Sequence, residues 1–413
     1  MVAGVVGWKL CGGDSVREAE KPKDGGYDAR FVVDLPIRLS SIVDRIQCGI
    51  QNDDNDDDFL VQLVQSSSIQ NSSDNDSNDA SAAAAADDDD DFEIRREQAI
   101  RLMEKVHDAQ YLHTFREAVA DAKETDRVRR LNPTVMRTLI DQYSYDAAVN
   151  SVIDWMHAVD TALINPPLPM TATTTTMTGD GDGGDACFQR GTVEFALVRP
   201  PSHHACKSRG MGGCMLNSAA IAAQYALEKG TENVAILDID AHHGNGIAHC
   251  IQEEERVRYC SIHEAVVEKN WFKNEEYARR KEESDDPRGA GVEDCGPLGN
   301  ILNVPLDKKT GWDDGYRDAL VKKALPFLLG RHDEETIVTK PDILIVACGF
   351  DALSADRTSS LQLLPEDYAK IGRILYDHFG CRVAFGLEGG YCWEGGELGE
   401  AVVNLVKPWS SSS

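Results

Sequence analysis

Two short segments of this chain carry residues that could together hold a divalent metal ion. One is Asp238-Ile239-Asp240-Ala241-His242-His243-Gly244-Asn245, the other Gly349-Phe350-Asp351-Ala352. Asp240 and His242 are two residues apart, so on an extended backbone they point the same way. Asp351 comes more than a hundred residues later and must be brought in by the fold. Two carboxylates and an imidazole make a three-ligand site, and the open fourth position is what hydrolytic zinc chemistry requires. The same donors also suit iron, manganese or cobalt. A lone Asp-x-His is more often structural than ligating. The ligand reading gains weight because Asp351 also closes an apolar run and precedes a turn. These residues point to an enzyme.

Two more segments end in side chains capable of catalysis. Phe195-Ala196-Leu197-Val198 leads into Arg199-Pro200-Pro201-Ser202-His203-His204-Ala205. Tandem histidines after a rigid proline pair offer a general base. Val383-Ala384-Phe385-Gly386-Leu387 leads into Glu388-Gly389-Gly390-Tyr391. There glycines let the chain turn sharply, and a phenol can donate to the oxyanion of a tetrahedral intermediate. Each motif alone is weak, and a Tyr after Gly-Gly is more often packing. Four apolar runs that all finish in such residues are hard to explain as core architecture.

The elements that must position these groups follow from hydrophobic pattern. Val234–Leu237 and Ile343–Ala347 are continuous apolar runs bounded by turn residues, which predict buried parallel strands. Further strands are expected at Phe195–Val198, Val257–Ile262 and Val383–Leu387. Helical spacing is read over Ile94–Val106, over Val135–Ala158 with Tyr143, Ala147, Val149 and Ile153 facing the core, and over the alanine-rich Met215–Leu227. More helix is expected around Asp313–Leu329 and from Glu366 to Phe379. Strands alternating with helices imply an α/β fold with a parallel sheet covered on both faces, and open α/β sheets bind ligands at the carboxyl ends of their strands.

Composition sets the outer bounds. The chain has 413 residues, an apolar fraction of 42% and a formal charge of −28. That charge argues against direct nucleic-acid binding but not against a basic partner such as a histone tail. Residues 51–91 hold 13 Asp and no Lys, Arg or Glu. This Asp/Asn/Ser/Ala segment is expected to be a disordered insertion, because it buries too little to offset its ordering entropy. A Thr/Gly/Asp-rich stretch near 168–186 is expected to be a loop insertion. The division expected is an N-terminal part at 1–50, the insertion at 51–91 and a catalytic domain at 92–410. Eleven scattered cysteines contain no C-x-x-C pair, so neither a thiolate zinc site nor a disulfide framework is indicated. No secretory signal or membrane-spanning run is read, which favours a soluble protein of cytoplasm, nucleus or both.

Taken together, RPPSHHA (199–205), LDIDAHHGNG (237–246), YCSIH (259–263), NVPL (303–306), ACGFDA (347–352) and LEGGY (387–391) resemble the histone deacetylase superfamily in order and spacing. Glu388 before Gly-Gly-Tyr and Asn245 in HHGNG are closer to class II deacetylases and acetylpolyamine amidohydrolases. The similarity runs from about Phe92 to Val406, with a weaker patch at Asp34–Leu39. The resemblance implies the arginase/deacetylase fold, with a central parallel sheet of about eight strands flanked by helices. It implies Zn²⁺ on Asp240, His242 and Asp351, and His204 as general base and acid beside His203. Asp238 would orient His203, Asn245 would orient His204, and Tyr391 would stabilise the oxyanion. A structural monovalent cation, K⁺, would lie against Asp238 and Ser261, with backbone carbonyls of Asp240, His242 and Ile262. Acetylated protein or small-amine substrates are implied, with chromatin or corepressor partners possible.

Departures from the family pattern concern the substrate walls. An aromatic expected between glycine and cysteine is missing from Gly212-Gly213-Cys214, so a wider or reshaped acyl pocket is expected, bordered by Gly212, Gly213, Cys214, Gly349 and Phe350. Glu264–Tyr277 replaces a Pro-Gly-Thr-Gly loop, with Trp271 and Phe272 as candidate substitutes. The initial His-Pro-Glu is reduced to Leu35-Pro36 and Arg38. Ala355-Asp356-Arg357-Thr358-Ser359 stands for Gly-Asp-Pro-Leu-Gly. Cys206 and Cys214, near the site, are read as small packing residues and not nucleophiles; His107, His113, His243 and His263 are given packing, surface or hydrogen-bonding roles, and Arg279-Arg280-Lys281 is a solvated cluster. A two-metal ureohydrolase would need an Asp where Gly244 stands. A catalytically silent scaffold would be expected to lack a ligand, a histidine or the tyrosine.

Overall fold

The computed structural model describes residues 5–10, 60–65, 79–131, 138–165, 192–265, 297–330, 340–392 and 395–410. Its strands are β1 (Val5–Leu10), β2 (Leu60–Gln65), the short pair β3 (Arg129–Arg130) and β4 (Leu139–Ile140), then β5 (Val193–Leu197), β6 (Val234–Asp238), β7 (Val257–Glu264), β8 (Ile301–Leu306), β9 (Ile343–Cys348) and β10 (Val383–Leu387). Six of them, in the order β5-β10-β9-β6-β7-β8, form a parallel sheet that β1 and β2 extend beyond β5 to eight strands. Every residue of β6, β9 and β10 is buried, as strands covered on both faces require.

β10 shows how the two faces are covered. Neighbouring residues of a strand point to opposite faces. The Phe385 ring meets Trp409 edge-on at 5.2 Å, which lays helix Glu397–Ser410 on one face. At Gly386 an added Cβ would lie 2.0 Å from the Trp155 ring, so helix Ser144–Ile164 packs on the other face because that strand position carries no side chain. Helix Ser218–Glu228 packs beside Ser144–Ile164 and buries Ala219, Ala220, Ala222, Ala223 and Ala226, the close packing that its alanines predict. Its first turn is capped by Asn217, whose side-chain oxygen accepts Ala220 N–H at 3.0 Å.

Several expectations are corrected. The helix expected over Val135–Ala158 is Ser144–Ile164, preceded by β4; Tyr143 and Ala147 are half-buried, while Ala148, Val149, Val152 and Ile153 face the core. Two elements also fall inside 51–91, the segment expected to be without structure. β2 uses its one apolar run, Leu60-Val61-Gln62-Leu63-Val64, and helix Asp79–Val106 begins in its alanine tract, the strongest helix former. The rest of 51–91, the patch at Asp34–Leu39 with Leu35, Pro36 and Arg38, the 168–186 loop, Trp271, Phe272 and Arg279–Lys281 lie outside the described residues. Among those described, no helix is long and apolar enough to cross a membrane.

His107 ties the end of helix Asp79–Val106 to the loop that carries the tandem histidines. Its Nε2 accepts Asn217 N–H at 3.0 Å, and its Nδ1 lies 3.0 Å from the Cys206 carbonyl. A backbone N–H can only donate, so Nε2 holds the lone pair, Nδ1 holds the hydrogen, and the ring is neutral. Burial pushes its pKa down to about 4, against the opposing pull of the Cys206 carbonyl. In the unfolded chain the group titrates near 6.5. Between these values only the unfolded state takes up the proton, so this contribution is complete above about pH 6.5 and lost as the pH falls to about 4. The whole gap corresponds to about 3 kcal/mol. We expect the stability of the wild-type protein to fall more steeply from pH 7 to 4.5 than that of His107→Gln, measured by denaturant unfolding. Parallel curves would remove this role.

Candidate active site

Sheet order places the metal-ligand candidates. After β6 the chain moves outward to β7 and β8, then returns through β9 to the other side of β6. The strand order therefore reverses between β6 and β9, and a crevice opens there at their carboxyl ends. Register sets Asp238 opposite Ala347, so the loops bearing Asp240 and Asp351 leave the sheet side by side. His242 Nδ1 lies 2.7 Å from Asp351 Oδ2 and 3.1 Å from Asp240 Oδ1. One ligand atom from each of Asp240, His242 and Asp351 falls within 4.8 Å of the others.

Backbone amides fix both carboxylates. Asp351 Oδ1 accepts Ala241 N–H at 2.7 Å; Asp240 accepts His242 N–H at 2.8 Å and, on its other oxygen, Gly389 N–H at 2.8 Å. Both carboxylates are 0% exposed. Two glycines make room for them. A Cβ on Gly349 would lie 2.1 Å from Asp240 Oδ2, and one on Gly389 would lie 2.4 Å from Asp240 Oδ2 and 2.7 Å from Asp351 Oδ2.

The electrostatics suit a cation. Burial and the nearby Asp240 charge push Asp351 up to about 6. Burial also opposes the Asp240 charge, yet His203 and His242 overcome it and hold its pKa well below the usual range. For His242, burial is outweighed by Asp351 and Asp240, which hold the imidazole well above its usual value. Two buried carboxylates thus lean on one imidazole, and a divalent ion fits this donor set by chemistry and convergence. His242 Nε2 lies 3.2 Å from the Thr358 carbonyl, the outer partner that leaves Nδ1 free to ligate.

The tandem histidines sit beside the triad in two different environments. His203 Nδ1 is 3.1 Å from Asp238 Oδ2, and its Nε2 is 3.7 Å from Asp240 Oδ2. Burial works against charging it, but Asp240 and Asp238 prevail and push it up to about 10. His204 Nδ1 is 2.7 Å from Asn245 Oδ1. Burial first, then the neighbouring His203 and His242, hold its pKa well below the usual value. The two rings lie 4.0 Å apart, and the His204 and His242 rings 6.2 Å apart. Glu388, at the end of β10, braces this loop. Its carboxylate accepts Ser202 N–H and Ser202 Oγ–H, each at 2.5 Å, and His203 N–H at 3.0 Å.

The remaining site residues are distributed as follows. Tyr391 follows Gly390, whose φ of +113° is open to glycine, and is half-buried. Its backbone N–H donates to Asp356 Oδ2 at 2.5 Å. Asp238 and Ser261 are register partners on β6 and β7, both buried, which brings the two named cation-site side chains onto neighbouring strands. Asp238 Oδ2 also accepts the Tyr259 hydroxyl at 3.0 Å. His263 is buried and bonded to Ser261 Oγ at 2.8 Å; His243 packs its ring against His263 at 4.8 Å.

Three of the expected pocket residues are repositioned. Phe350 is 0% exposed and packs against Tyr368 at 4.9 Å and Phe195 at 6.5 Å, so it is core and not a pocket wall. Cys214 is buried behind His204, whose backbone N–H meets its Sγ at 3.4 Å. Gly349 is buried against Asp240. Gly212 and Gly213 are both partly exposed. A Cβ on Gly212 would lie 2.6 Å from the His204 ring, while one on Gly213 would meet only Pro201 at 3.8 Å. Sequence reasoning missed three residues as supports: Tyr259, Glu388 and Asp356. Glu388 had a signal, since a carboxylate closing a wholly apolar strand must find buried donors. So did Asp356, because Asp-x-Thr after a strand favours a side-chain-closed turn.

Gly349→Ala should therefore displace Asp240 and weaken the binding of any divalent ion that the triad holds by about 10–100-fold, the range found when an outer support is removed. Competition with a chromophoric chelator measures this; an unchanged affinity would show that the site tolerates the methyl group.

Comparison with known proteins agrees with this arrangement. The chain matches the histone deacetylase domain over residues 79–406. It is 38% identical over 272 residues to an uncharacterized protein of Synechocystis sp., covering 66% of this chain and 71% of that one. It is 34% identical over 221 residues to acetylpolyamine amidohydrolase 1 of Pseudomonas aeruginosa, covering 53% of this chain and 56% of that protein. The crystal structure of the HDA15 HD domain superposes with a TM-score of 0.59 at 21% identity, covering 91% of this chain and 83% of that one, which shows the fold to be of the arginase/deacetylase type. With the match extending through every strand end that builds the site, the chain belongs to the histone deacetylase family.

Proposed function

We propose that this chain is a zinc-dependent amidohydrolase that removes acetyl or larger acyl groups from lysine side chains of histones or other proteins. One observation carries the reading: the Asp240–His242–Asp351 triad, with both carboxylates buried, converges beside a histidine whose Nδ1 is engaged by Asn245. A divalent ion on the triad would polarise the scissile carbonyl and make an attacking water more acidic. Asn245 Oδ1 fixes the hydrogen of His204 on Nδ1, which leaves Nε2 as the base. Its lowered pKa keeps it unprotonated at neutral pH, ready to take the proton and return it to the leaving amine. His203, kept charged by Asp238 and Asp240, supplies positive potential beside developing negative charge. The Tyr391 hydroxyl donates to the oxyanion. K⁺ against Asp238 and Ser261 would stiffen the strand ends beneath.

A second reading, hydrolysis of small acetylated amines, is favoured by the likeness to an acetylpolyamine amidohydrolase. The bare rim at Gly212-Gly213 supports an acyl pocket wider than acetyl in either case. Both bear on one experiment: zinc-loaded protein assayed on acyl-lysine peptides of increasing chain length and on acetylpolyamines, with Tyr391→Phe as blank. Turnover of peptides, with butyryl or longer chains accepted at least as well as acetyl, is expected. Strict preference for acetyl would sink the wide pocket; polyamine turnover alone would install the second reading. Full zinc occupancy with no turnover would favour a silent scaffold. Tyr391→Phe should lower kcat by about 10²–10³-fold, the loss typical of an oxyanion donor.

A further inference from the structure

The loop after Asp351 contains another buried carboxylate, one that the chemistry above leaves unused. Asp356 is 6% exposed. Its Oδ1 accepts Thr358 N–H at 2.8 Å and Thr358 Oγ1–H at 2.6 Å, and its Oδ2 accepts Tyr391 N–H at 2.5 Å. Thr358 in turn holds its carbonyl 3.2 Å from His242 Nε2. A single side chain is thus one residue removed from a metal-ligand candidate and directly bonded to the backbone of the proposed oxyanion donor.

We propose that Asp356 is a positioning residue that fixes His242 and Tyr391 relative to one another; its Tyr391 half rests on the oxyanion role given to that residue above. The argument is one of constraint. Tyr391 leaves β10 through two glycines, the second at φ +113°, a stretch with little intrinsic stiffness. Charge-assisted bonds from a buried carboxylate are the strong kind, and here one holds the tyrosine at its own amide. On the other oxygen, two Thr358 donors close the turn that aims the Thr358 carbonyl at His242. That carbonyl accepts Nε2–H, which selects the tautomer whose Nδ1 faces the carboxylates. All three groups facing Asp356 can donate, and two of them are backbone amides that can do nothing else. An amide in place of the carboxylate would turn its NH₂ against one of those N–H groups, whichever way it sits.

The test compares Asp356→Asn and Thr358→Val in wild-type and Tyr391→Phe backgrounds. It reads kcat and KM at saturating zinc, zinc affinity by chelator competition, and thermal midpoint. Asp356→Asn should lower kcat by about 10–100-fold and weaken zinc binding. KM should change by less than about threefold, because the contribution is to the transition state. In the Tyr391→Phe background the further loss of kcat should largely vanish, since both changes remove one interaction. Thr358→Val removes only the Oγ1 bond and should act in the same direction more weakly, which keeps the test alive if Asp356→Asn does not fold. Fully additive losses of kcat would overturn the link to Tyr391, and unchanged zinc affinity would overturn the link to His242. Undiminished kcat in Tyr391→Phe itself would instead overturn the oxyanion role, and the Tyr391 half of the inference with it.

Discussion

The constraint on which this structure depends is the burial of two carboxylates, Asp240 and Asp351, side by side with no exposure to water. Like charges in such surroundings repel, and neither can ionise cheaply without a cation. The neighbouring architecture answers that demand. His242 is drawn between them, three backbone amides donate to them, and Gly349 and Gly389 surrender their side chains so that both can fit. The sheet order serves the same end, because the reversal between β6 and β9 is what lets two loops distant in sequence emerge as neighbours.

The same charges divide the labour of the tandem histidines. His203 and His204 are adjacent in sequence with rings 4.0 Å apart, yet their surroundings drive them in opposite directions. His203 faces Asp238 and Asp240, which hold its pKa up; His204 is buried against a neutral amide and the His203 and His242 rings, which hold its pKa down. Pairs of titratable groups pushed apart in this way mark acid and base roles. Glu388 makes the division dependable, because it pins the backbone at Ser202 and His203 and so sets where both rings start.

The chemistry-bearing part of this site was legible because it sits at the ends of continuous apolar runs. β6, β9 and β10 are buried on both faces, so their residues announce them, and the polar residue that ends each run marks the carboxyl edge. β8 was not legible as a strand, since Asn303 and Pro305 interrupt its pattern at the sheet edge, where proline is tolerated. Phe350 was misjudged for a related reason. Its place beside a ligand suggested a pocket wall, but alternation along the backbone turns it away from Asp351 into a cluster with Phe195 and Tyr368. Asp356 has a local signal in Asp-x-Thr, which accounts for Thr358 but not for Tyr391. The bond to Tyr391, 35 residues on, is one that only the folded chain makes.

Reaction and selectivity are therefore held by different kinds of structure. The metal-ligand candidates, the tandem histidines and Tyr391 each follow a sheet strand whose register with its neighbour is fixed by a ladder of backbone bonds. Gly212-Gly213 form the turn closed by the isolated bridge between Met211 and Cys214, in left-handed conformations that suit glycine. Gly212 must stay small because the His204 ring lies against it. A Cβ on Gly213 would meet only Pro201, at ordinary van der Waals distance, and that position is limited mainly by its backbone. The turn is thus left as bare main chain, and at Gly212 that bareness is imposed by the same histidine ring that Asn245 holds in place.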